Sequence, residues 1–100
     1  MKTHSKTSTT AGTYEFMPPE AFDKNPTVSI HTDIWAAGVI LQKLLTGKMP
    51  FPQDEIPSLI TAILMGEPEP MPPTVPIDLC EIVNKALQKK REDRFNGRVR

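Results

Sequence analysis

The sequence predicts a mainly α-helical domain, and three observations support this fold class. A long apolar run follows a cluster of polar capping residues, and two later segments carry apolar residues at helical spacing. No stretch alternates apolar and polar residues in the manner of a half-buried strand. We therefore expect a buried central helix at about 31–46 and two amphipathic helices at about 55–65 and 79–89.

The central helix is predicted from "SIHTDIWAAGVILQKLLTG", residues 29–47. Ser29, Thr32 and Asp33 are candidates for its N-terminal cap, and Gly47 is a typical stop. Since apolar residues occupy almost every side of this segment, we expect it to be buried nearly all round. Such a helix would lie at the centre of the fold, and other elements would have to pack around it.

The second helix is predicted from apolar residues spaced i, i+3, i+4, i+7 and i+8, with Gly66 and Pro68 ending the run. These residues are Ile56, Leu59, Ile60, Ile63 and Leu64. The spacing is typical of a surface amphipathic helix.

The third helix repeats the same apolar spacing, and Asp78 followed by Glu81 resembles a capping box at its start. Its apolar residues are Leu79, Ile82, Val83, Ala86 and Leu87. Between the two amphipathic helices, residues 67–76 contain five prolines, which remove backbone donors and favour extended geometry. We therefore expect a connector there.

Composition excludes several classes of function. Twelve basic and 12 acidic side chains cancel, so no global field favours nucleic acid or an anionic membrane. The basic terminus is interrupted by Glu92 and Asp93, which favours a solvated tail over a nucleic-acid patch. His4 and His31 lie far apart, and Cys80 is a lone cysteine, so we expect no metal site and no internal disulfide.

No apolar run reaches the length of a membrane span, and the first residues lack the apolar stretch of a secretory signal. A cytoplasmic protein with no membrane partner is therefore expected. Residues 2–13 carry seven Ser or Thr side chains and no large apolar residue, so we expect 1–13 to be mobile. The expected organisation is a mobile segment at 1–13, a helical domain at 14–95 and a basic tail at 96–100.

Four short motifs, at 12–20, 33–38, 44–51 and 87–95, occur in the chain order of one known enzyme family. "GTYEFMPPE" (12–20) is similar to the end of the kinase activation segment, and "DIWAAG" (33–38) to the start of the large central helix of the C-terminal lobe. "LLTGKMPF" (44–51) is similar to the exit of that helix, and "LQKKREDRF" (87–95) to the closing arginine motif. The resemblance to protein kinases covers roughly residues 5–95 and implies a partial kinase C-lobe, with a mobile activation-loop-like segment before it.

Two positions depart from the family pattern. Pro18 stands where the Ala-Pro-Glu signature has alanine, and Ala36 stands where the family usually has serine. Neither departure breaks the resemblance.

The resemblance implies a structural ion pair between Glu20 and Arg94, which ties the end of the activation segment to the helical lobe. Pro18 and Pro19 would stiffen the turn that Glu20 anchors. Asp33 would accept hydrogen bonds from the backbone of the catalytic loop, and we expect it to cap the N-terminus of its own helix as well. Trp35 and Gly38 match the aromatic and small positions of the same helix, and with Asp33 they form the expected support for the catalytic loop.

The resemblance also implies a substrate-binding stretch. Its residues are Gly12, Thr13, Tyr14, Glu15 and Phe16. Thr13 matches the threonine that faces the catalytic aspartate in serine/threonine kinases, which favours Ser/Thr specificity over Tyr. Thr9 has the spacing of an activating phosphothreonine, and Ser8 and Thr10 are equally reachable candidates.

The sequence does not contain the motifs that carry out phosphoryl transfer. It has no Gly-rich phosphate loop, no Val-Ala-x-Lys strand, no His-Arg-Asp loop and no Asp-Phe-Gly metal motif. We therefore expect no catalytic residue, metal or cofactor in this chain and no activity of the chain alone, whereas a complete parent kinase would use ATP and Mg²⁺.

Two hypotheses about function follow. In the first, the chain is the C-terminal segment of a serine/threonine protein kinase that contributes activation-segment anchoring and a protein-substrate surface. The alternative is a stand-alone non-catalytic binding module, or a pseudokinase fragment, that keeps the substrate-side surface around 12–20 and 54–66. The expected partner is a protein substrate or the missing part of a kinase domain, and the isolated chain is expected to be marginally stable or to self-associate.

Overall fold

A computed structural model describes residue 12 and residues 14–95. Three helices follow one another: α1 (Ile30–Thr46), α2 (Ile56–Met65) and α3 (Ile77–Ala86). Short 3₁₀ turns at Pro19–Phe22 and Arg91–Asp93 flank them, and no strand occurs in this part of the chain. The mainly α-helical fold class is confirmed. The predicted basic tail, and the predicted mobile segment apart from Gly12, lie outside the described residues.

The N-terminus of α1 is capped by Ser29 through a reciprocal pair of hydrogen bonds. The Ser29 hydroxyl accepts from the backbone N–H of His31 at 3.2 Å, and the Ser29 backbone N–H donates to Thr32 Oγ1 at 3.2 Å. Asp33 is not the cap: it lies in the first turn of α1 and is exposed. Because Ser29 and Thr32 already form the reciprocal pair, Asp33 has no capping role.

The C-terminus of α1 is closed by Gly47, as predicted. Gly47 has φ 78°, a left-handed conformation that glycine adopts without steric cost, and its N–H donates to the Lys43 carbonyl at 2.7 Å.

Burial of α1 is one-sided, so the expectation of a helix buried nearly all round is wrong for the chain as it stands. Trp35, Gly38, Val39 and Gln42 are buried along one face. The other face is open, with exposed fractions of 51% for Ile30, 49% for Ile40 and 76% for Leu44. The physical reason is that the described residues pack elements against only one side of α1.

The third helix begins and ends earlier than predicted, and its predicted capping box is wrong. Pro76 is the N-cap, and no side chain caps the helix, although Asp78 lies in the first turn. The helix ends at Ala86 because the chain turns after Leu87, which brings the carbonyls of Gln88 and Lys89 to the Arg94 side chain.

One apolar core joins the three helices to the loop after α1. Its buried members are Trp35, Val39, Phe51, Leu59, Ile63, Val83 and Leu87. The rings of Trp35 and Phe51 are parallel within 2°, with centroids 5.9 Å apart, which is an offset stack. The loop that carries Phe51 thereby covers the Trp35 side of α1.

Helices α1 and α3 pack closely at Gly38. A Cβ added at this position would lie 2.8 Å from the Ala86 Cβ and 3.1 Å from Leu87 Cδ2. The absence of a side chain at residue 38 is therefore what allows the two helices to pack at this distance.

The proline-rich segment 67–76 contains no helix or strand, which agrees with its prediction as a connector. Buried Gln42 holds it: Gln42 Nε2 donates to the Glu69 carbonyl at 2.8 Å, and the Glu69 N–H donates to the Pro50 carbonyl at 2.7 Å. The connector is thus fastened to α1 and to the loop after it. In the described part of the chain, none of the helices has the length and apolarity needed to cross a membrane.

Candidate functional site

The candidate site is centred on the guanidinium of Arg94, which is fully used as a hydrogen-bond donor. A guanidinium has five N–H groups, and each of the five donates to an oxygen atom. The acceptors are Glu20 Oε1 and Oε2, both at 2.8 Å, and the carbonyls of Gln88 at 2.7 Å, His31 at 2.9 Å and Lys89 at 3.2 Å. One side chain thereby joins the turn at 19–22, the start of α1 and the chain after α3. We call Glu20 and Arg94 the clamp.

Glu20 is positioned by a short turn that begins at buried Pro19 and is preceded by buried Pro18. The residue is 8% exposed, and the Arg94 side chain is 0% exposed. Two parallel N–H···O bonds make this a bidentate pair, the geometry in which a carboxylate and an arginine bind most specifically. Within residues 14–95 it is the sole ion pair shorter than 4.0 Å.

The pKa of the Glu20 carboxyl is set by opposing effects. Burial by itself raises the pKa, whereas the hydrogen bonds and the positive charge of Arg94, a backbone hydrogen bond and the charge of Arg91 lower it. The net pKa lies below its ordinary value of 4.5. The carboxylate therefore stays charged in the folded protein at neutral pH.

Trp35 connects the clamp to the core. Its ring lies beneath the guanidinium, with Arg94 Cζ 5.0 Å from the ring centroid, a cation–π distance. The same ring also stacks on Phe51 in the core. The position of Arg94 is thus coupled to the packing of α1.

A second cation beside the core, Lys89, is half-buried, and sequence reasoning missed it. Its Nζ donates to the carbonyls of Ala62 at 3.2 Å and Ile63 at 2.7 Å, in the last turn of α2. The same atom lies 4.6 Å from the centroid of the Phe51 ring. Burial lowers the pKa of Lys89. In the sequence it is one of several consecutive basic residues, and nothing there marks it as the buried member.

The predicted substrate-binding stretch is only partly described. Gly12, Tyr14 and Glu15 are half-buried and Phe16 is 41% exposed, whereas Thr13 lies outside the described residues. Tyr14 packs on Phe22 with ring centroids 5.9 Å apart. The stretch is thereby held against the turn that carries Glu20. The candidate phosphorylation sites Ser8, Thr9 and Thr10 also lie outside the described residues.

The three residues predicted to support a catalytic loop have different surroundings. Trp35 is buried in the core, and Gly38 lies at the contact between α1 and α3. The Asp33 side chain is exposed and makes no hydrogen bond to any other part of the described chain. Its predicted role as an acceptor therefore stays a prediction. No group of His, Cys, Asp and Glu side chains within the described ranges is arranged to hold a metal ion.

Comparison with known proteins gives consistent matches. The family model described as "Protein kinase domain" matches residues 1–98. Serine/threonine-protein kinase PknH of Mycobacterium bovis is 34% identical over 90 residues, which cover 87% of this chain and 15% of that protein. CBL-interacting protein kinase 25 of Oryza sativa is 35% identical over 87 residues, covering 87% of this chain and 17% of that protein.

Serine/threonine-protein kinase TOUSLED of Arabidopsis thaliana is 33% identical over 96 residues, covering 88% of this chain and 14% of that protein. The chain therefore spans less than a fifth of the length of these curated relatives.

Proposed function

Because this chain belongs to the protein kinase family, we propose that it acts as the C-terminal segment of a serine/threonine protein kinase. In this proposal it contributes activation-segment anchoring and a protein-substrate surface to the ATP-dependent phosphorylation of Ser and Thr hydroxyls. The names of the relatives, all serine/threonine or CBL-interacting kinases, support this class of reaction.

The observation that carries the proposal is the clamp. Arg94 fixes Glu20 through two hydrogen bonds, and Tyr14 packs on Phe22, so the chain from residue 14 to the turn has a rigid end. A loop that presents a protein substrate needs such a fixed end, because positioning of the acceptor hydroxyl supplies much of the rate in phosphoryl transfer. Phe16 is exposed beside this anchor and is available to contact a peptide.

The proposal divides the work between this chain and the rest of a kinase domain. ATP, Mg²⁺, the catalytic base and the phosphate-binding groups would belong to the other part, since their motifs do not occur in this sequence. Thr13 would select Ser or Thr acceptors, and phosphorylation at Thr9, Ser8 or Thr10 would order the segment before the clamp. Asp33, at the start of α1, would hold the catalytic loop.

A second candidate function is favoured by the open face of α1. Ile40 and Leu44 are exposed there, and a groove of about 250 Å³ between α1 and α3 has an almost wholly apolar lining. A stand-alone kinase-like binding module, or a pseudokinase fragment, would use such a surface to capture a protein partner without catalysis. The two functions differ in whether the segment supports phosphoryl transfer once a kinase domain is completed.

A chimeric kinase domain tests the proposal. Residues 12–95 would replace the matching segment of the PknH kinase domain, and transfer of phosphate from ATP to a Ser/Thr protein substrate would be measured. We expect kcat/KM within about tenfold of the parent domain, because the clamp and the substrate stretch are supplied intact. The 100-residue chain assayed alone should transfer no phosphate.

Controls separate failure of folding from failure of function. Binding of a nucleotide to the chimera shows that the domain has assembled. A chimera that binds ATP but phosphorylates neither Ser nor Thr would contradict the proposal and favour the binding module. Replacement of Glu20 by Gln in the active chimera should lower kcat/KM, whereas Glu81→Gln, an exposed change on α3, should not.

A further inference from the structure

A second arginine of the C-terminal turn also contacts the segment after residue 19. Arg91 Nη1 donates to Thr27 Oγ1 at 2.8 Å, a contact between residues 64 positions apart. The Glu20–Arg94 bonds span 74 positions, and no other side chain–side chain hydrogen bond within 14–95 joins residues so distant in sequence. Residues 91–94, the C-terminal turn and the residue after it, therefore hold the segment 20–27 at two points.

The two contacts differ in the charge of the acceptor. Arg94 faces a carboxylate in the interior, whereas Arg91 is exposed and faces a neutral hydroxyl. Throughout the described residues, no carboxylate lies within 4.0 Å of the Arg91 guanidinium. A charged donor that meets only a neutral acceptor is stabilised further when that acceptor becomes an anion.

The hydroxyl of Thr27 is accessible to a modifying enzyme. Residues 23–28 are all exposed and lie outside any helix. A hydroxyl on an exposed loop can enter the active site of a protein kinase without unfolding of the core.

The geometry points to Thr27 as a phosphorylation site whose phosphoryl group is bound by Arg91. In the modifying step a protein kinase transfers the γ-phosphoryl group of ATP: the bond from Thr27 Oγ1 to phosphorus forms as the bond from the γ-phosphorus to the β–γ bridging oxygen breaks. ADP leaves, and the hydroxyl proton passes to the base of the modifying enzyme. The product carries a charge of about −1.5 to −2 and three acceptor oxygens.

The structural consequence is a firmer attachment of the exposed segment to the C-terminal turn. The carboxylate of Glu20, whose pKa the charge of Arg91 lowers, opposes the added charge. Asp23, Glu92 and Asp93, which are near Thr27 or Arg91 in sequence, also oppose it, whereas Lys24 and Lys90 favour it. Direct contact with Arg91 makes the net interaction of the phosphate with its surroundings attractive, because the guanidinium already lies at hydrogen-bond distance from Oγ1. This inference does not depend on the proposed kinase function.

Phosphorus NMR of the 100-residue chain with phosphothreonine encoded at position 27 tests the contact. The second pKa of the phosphate, ordinarily about 6, should fall by about half a unit or more beside Arg91. Arg91→Gln should restore the ordinary midpoint, and so should concentrated urea. Phosphothreonine at exposed Thr74 is the matched control and should titrate normally with or without Arg91. Equal midpoints for position 27 in the wild type and in Arg91→Gln would overturn the proposal.

Phosphopeptide mapping of the protein from its own cells tests the modification. Cleavage after Lys24 and Lys43 releases one peptide, residues 25–43, that contains Thr27. We expect a phosphate on Thr27 in a measurable fraction of that peptide. Complete recovery of the peptide without phosphate on Thr27, under the conditions in which kinases of the cell are active, would contradict the assignment.

Discussion

All five N–H groups of Arg94 donate to oxygen atoms, and this explains why arginine is required there. A lysine ammonium has three donors and no planar fork, so it cannot hold both Glu20 oxygens and three carbonyls at once. Three of the acceptors are backbone carbonyls of His31, Gln88 and Lys89, which would lose their partner together. The cost of removing either member of the clamp is therefore larger than that of a surface ion pair.

Replacement of Glu20 by Gln should strongly destabilise the chain. The change leaves the Arg94 charge buried without its counter-ion, and removal of one partner of a buried pair typically costs about 3–5 kcal/mol. Urea unfolding followed by far-UV circular dichroism measures the loss, and a chain without helical signal in the absence of urea would also meet the expectation. Glu81→Gln is the exposed control. A loss below about 1 kcal/mol in the free energy of unfolding would show that the clamp is not the main interaction between the 19–22 turn and the helices.

The lowered pKa of Glu20 predicts a loss of stability in acid. Because the folded pKa lies below 4.5, the charged carboxylate stabilises the fold above that pH, and this contribution is lost as the pH falls through the folded pKa. Urea midpoints measured between about pH 6 and pH 3 should therefore fall. The free energy of unfolding should lose at most about 1.4 kcal/mol per pH unit through this group. The double variant Glu20→Gln, Arg94→Gln should show a smaller acid step, and an identical step would contradict the assignment.

At this scale the sequence identifies the clamp but not its surroundings. The resemblance of two motifs names Glu20 and Arg94, whereas the roles of Lys89 and Gln42 depend on which basic or polar residue the fold turns inward. Lys89 is half-buried because the chain reverses after α3 and brings its Nζ to the carbonyls at the end of α2. No local pattern encodes that reversal.

At the scale of the helices, the sequence predicts existence and approximate bounds well because apolar spacing reflects the buried face directly. The sequence predicts the ends of the helices less accurately than their existence. Ser29 and Gly47 end α1 through chemistry that is visible in the sequence, whereas Asp78 and Glu81 have the residue types of a capping box without forming one. The start of α3 is set by Pro76 and the path of the connector, which local residue types do not determine.

Gly38→Ala should destabilise the packing of α1 on α3. The added Cβ would lie 2.8 Å from the Ala86 Cβ, so the helices must separate. Overpacking of this kind costs about 1–3 kcal/mol, against a gain of up to about 1 kcal/mol in helix propensity. We expect a net loss of about 1–2 kcal/mol in the urea unfolding free energy.

A double-mutant cycle tests the cause of that loss. Gly38→Ala combined with Ala86→Gly removes the opposing methyl group, so the double variant should be more stable than the sum of the two single changes predicts. Strict additivity would show that contact with Ala86 is not the source of the effect.

At the scale of the whole molecule, the open face of α1 is the main feature that apolar patterning alone does not predict. The pattern indicates a helix apolar on all sides, but it cannot say which neighbours are present to cover it. In the described chain, α2, α3 and the loop around Phe51 cover one side, and Ile30, Ile40 and Leu44 remain exposed on the other.

The exposed face predicts self-association of the isolated chain. Ile40→Glu and Leu44→Glu should each weaken the association by about tenfold or more, because burial of one such side chain contributes about 1.5–3 kcal/mol. Sedimentation velocity over a range of concentrations measures this effect. Thr74→Glu, in the exposed connector, introduces the same charge and should leave the association unchanged. A monomer with a sharp, cooperative thermal transition would contradict the prediction.

The central claim is that this segment works as part of a kinase domain, and the intact mass of the natural product tests it most directly. The protein would be captured from its own cells with an antibody against residues 54–76, and its mass would be measured without digestion. We predict a species several times heavier than the 11.2 kDa of this chain. A product of 11.2 kDa as the sole species would contradict the claim and make the stand-alone binding module the better account.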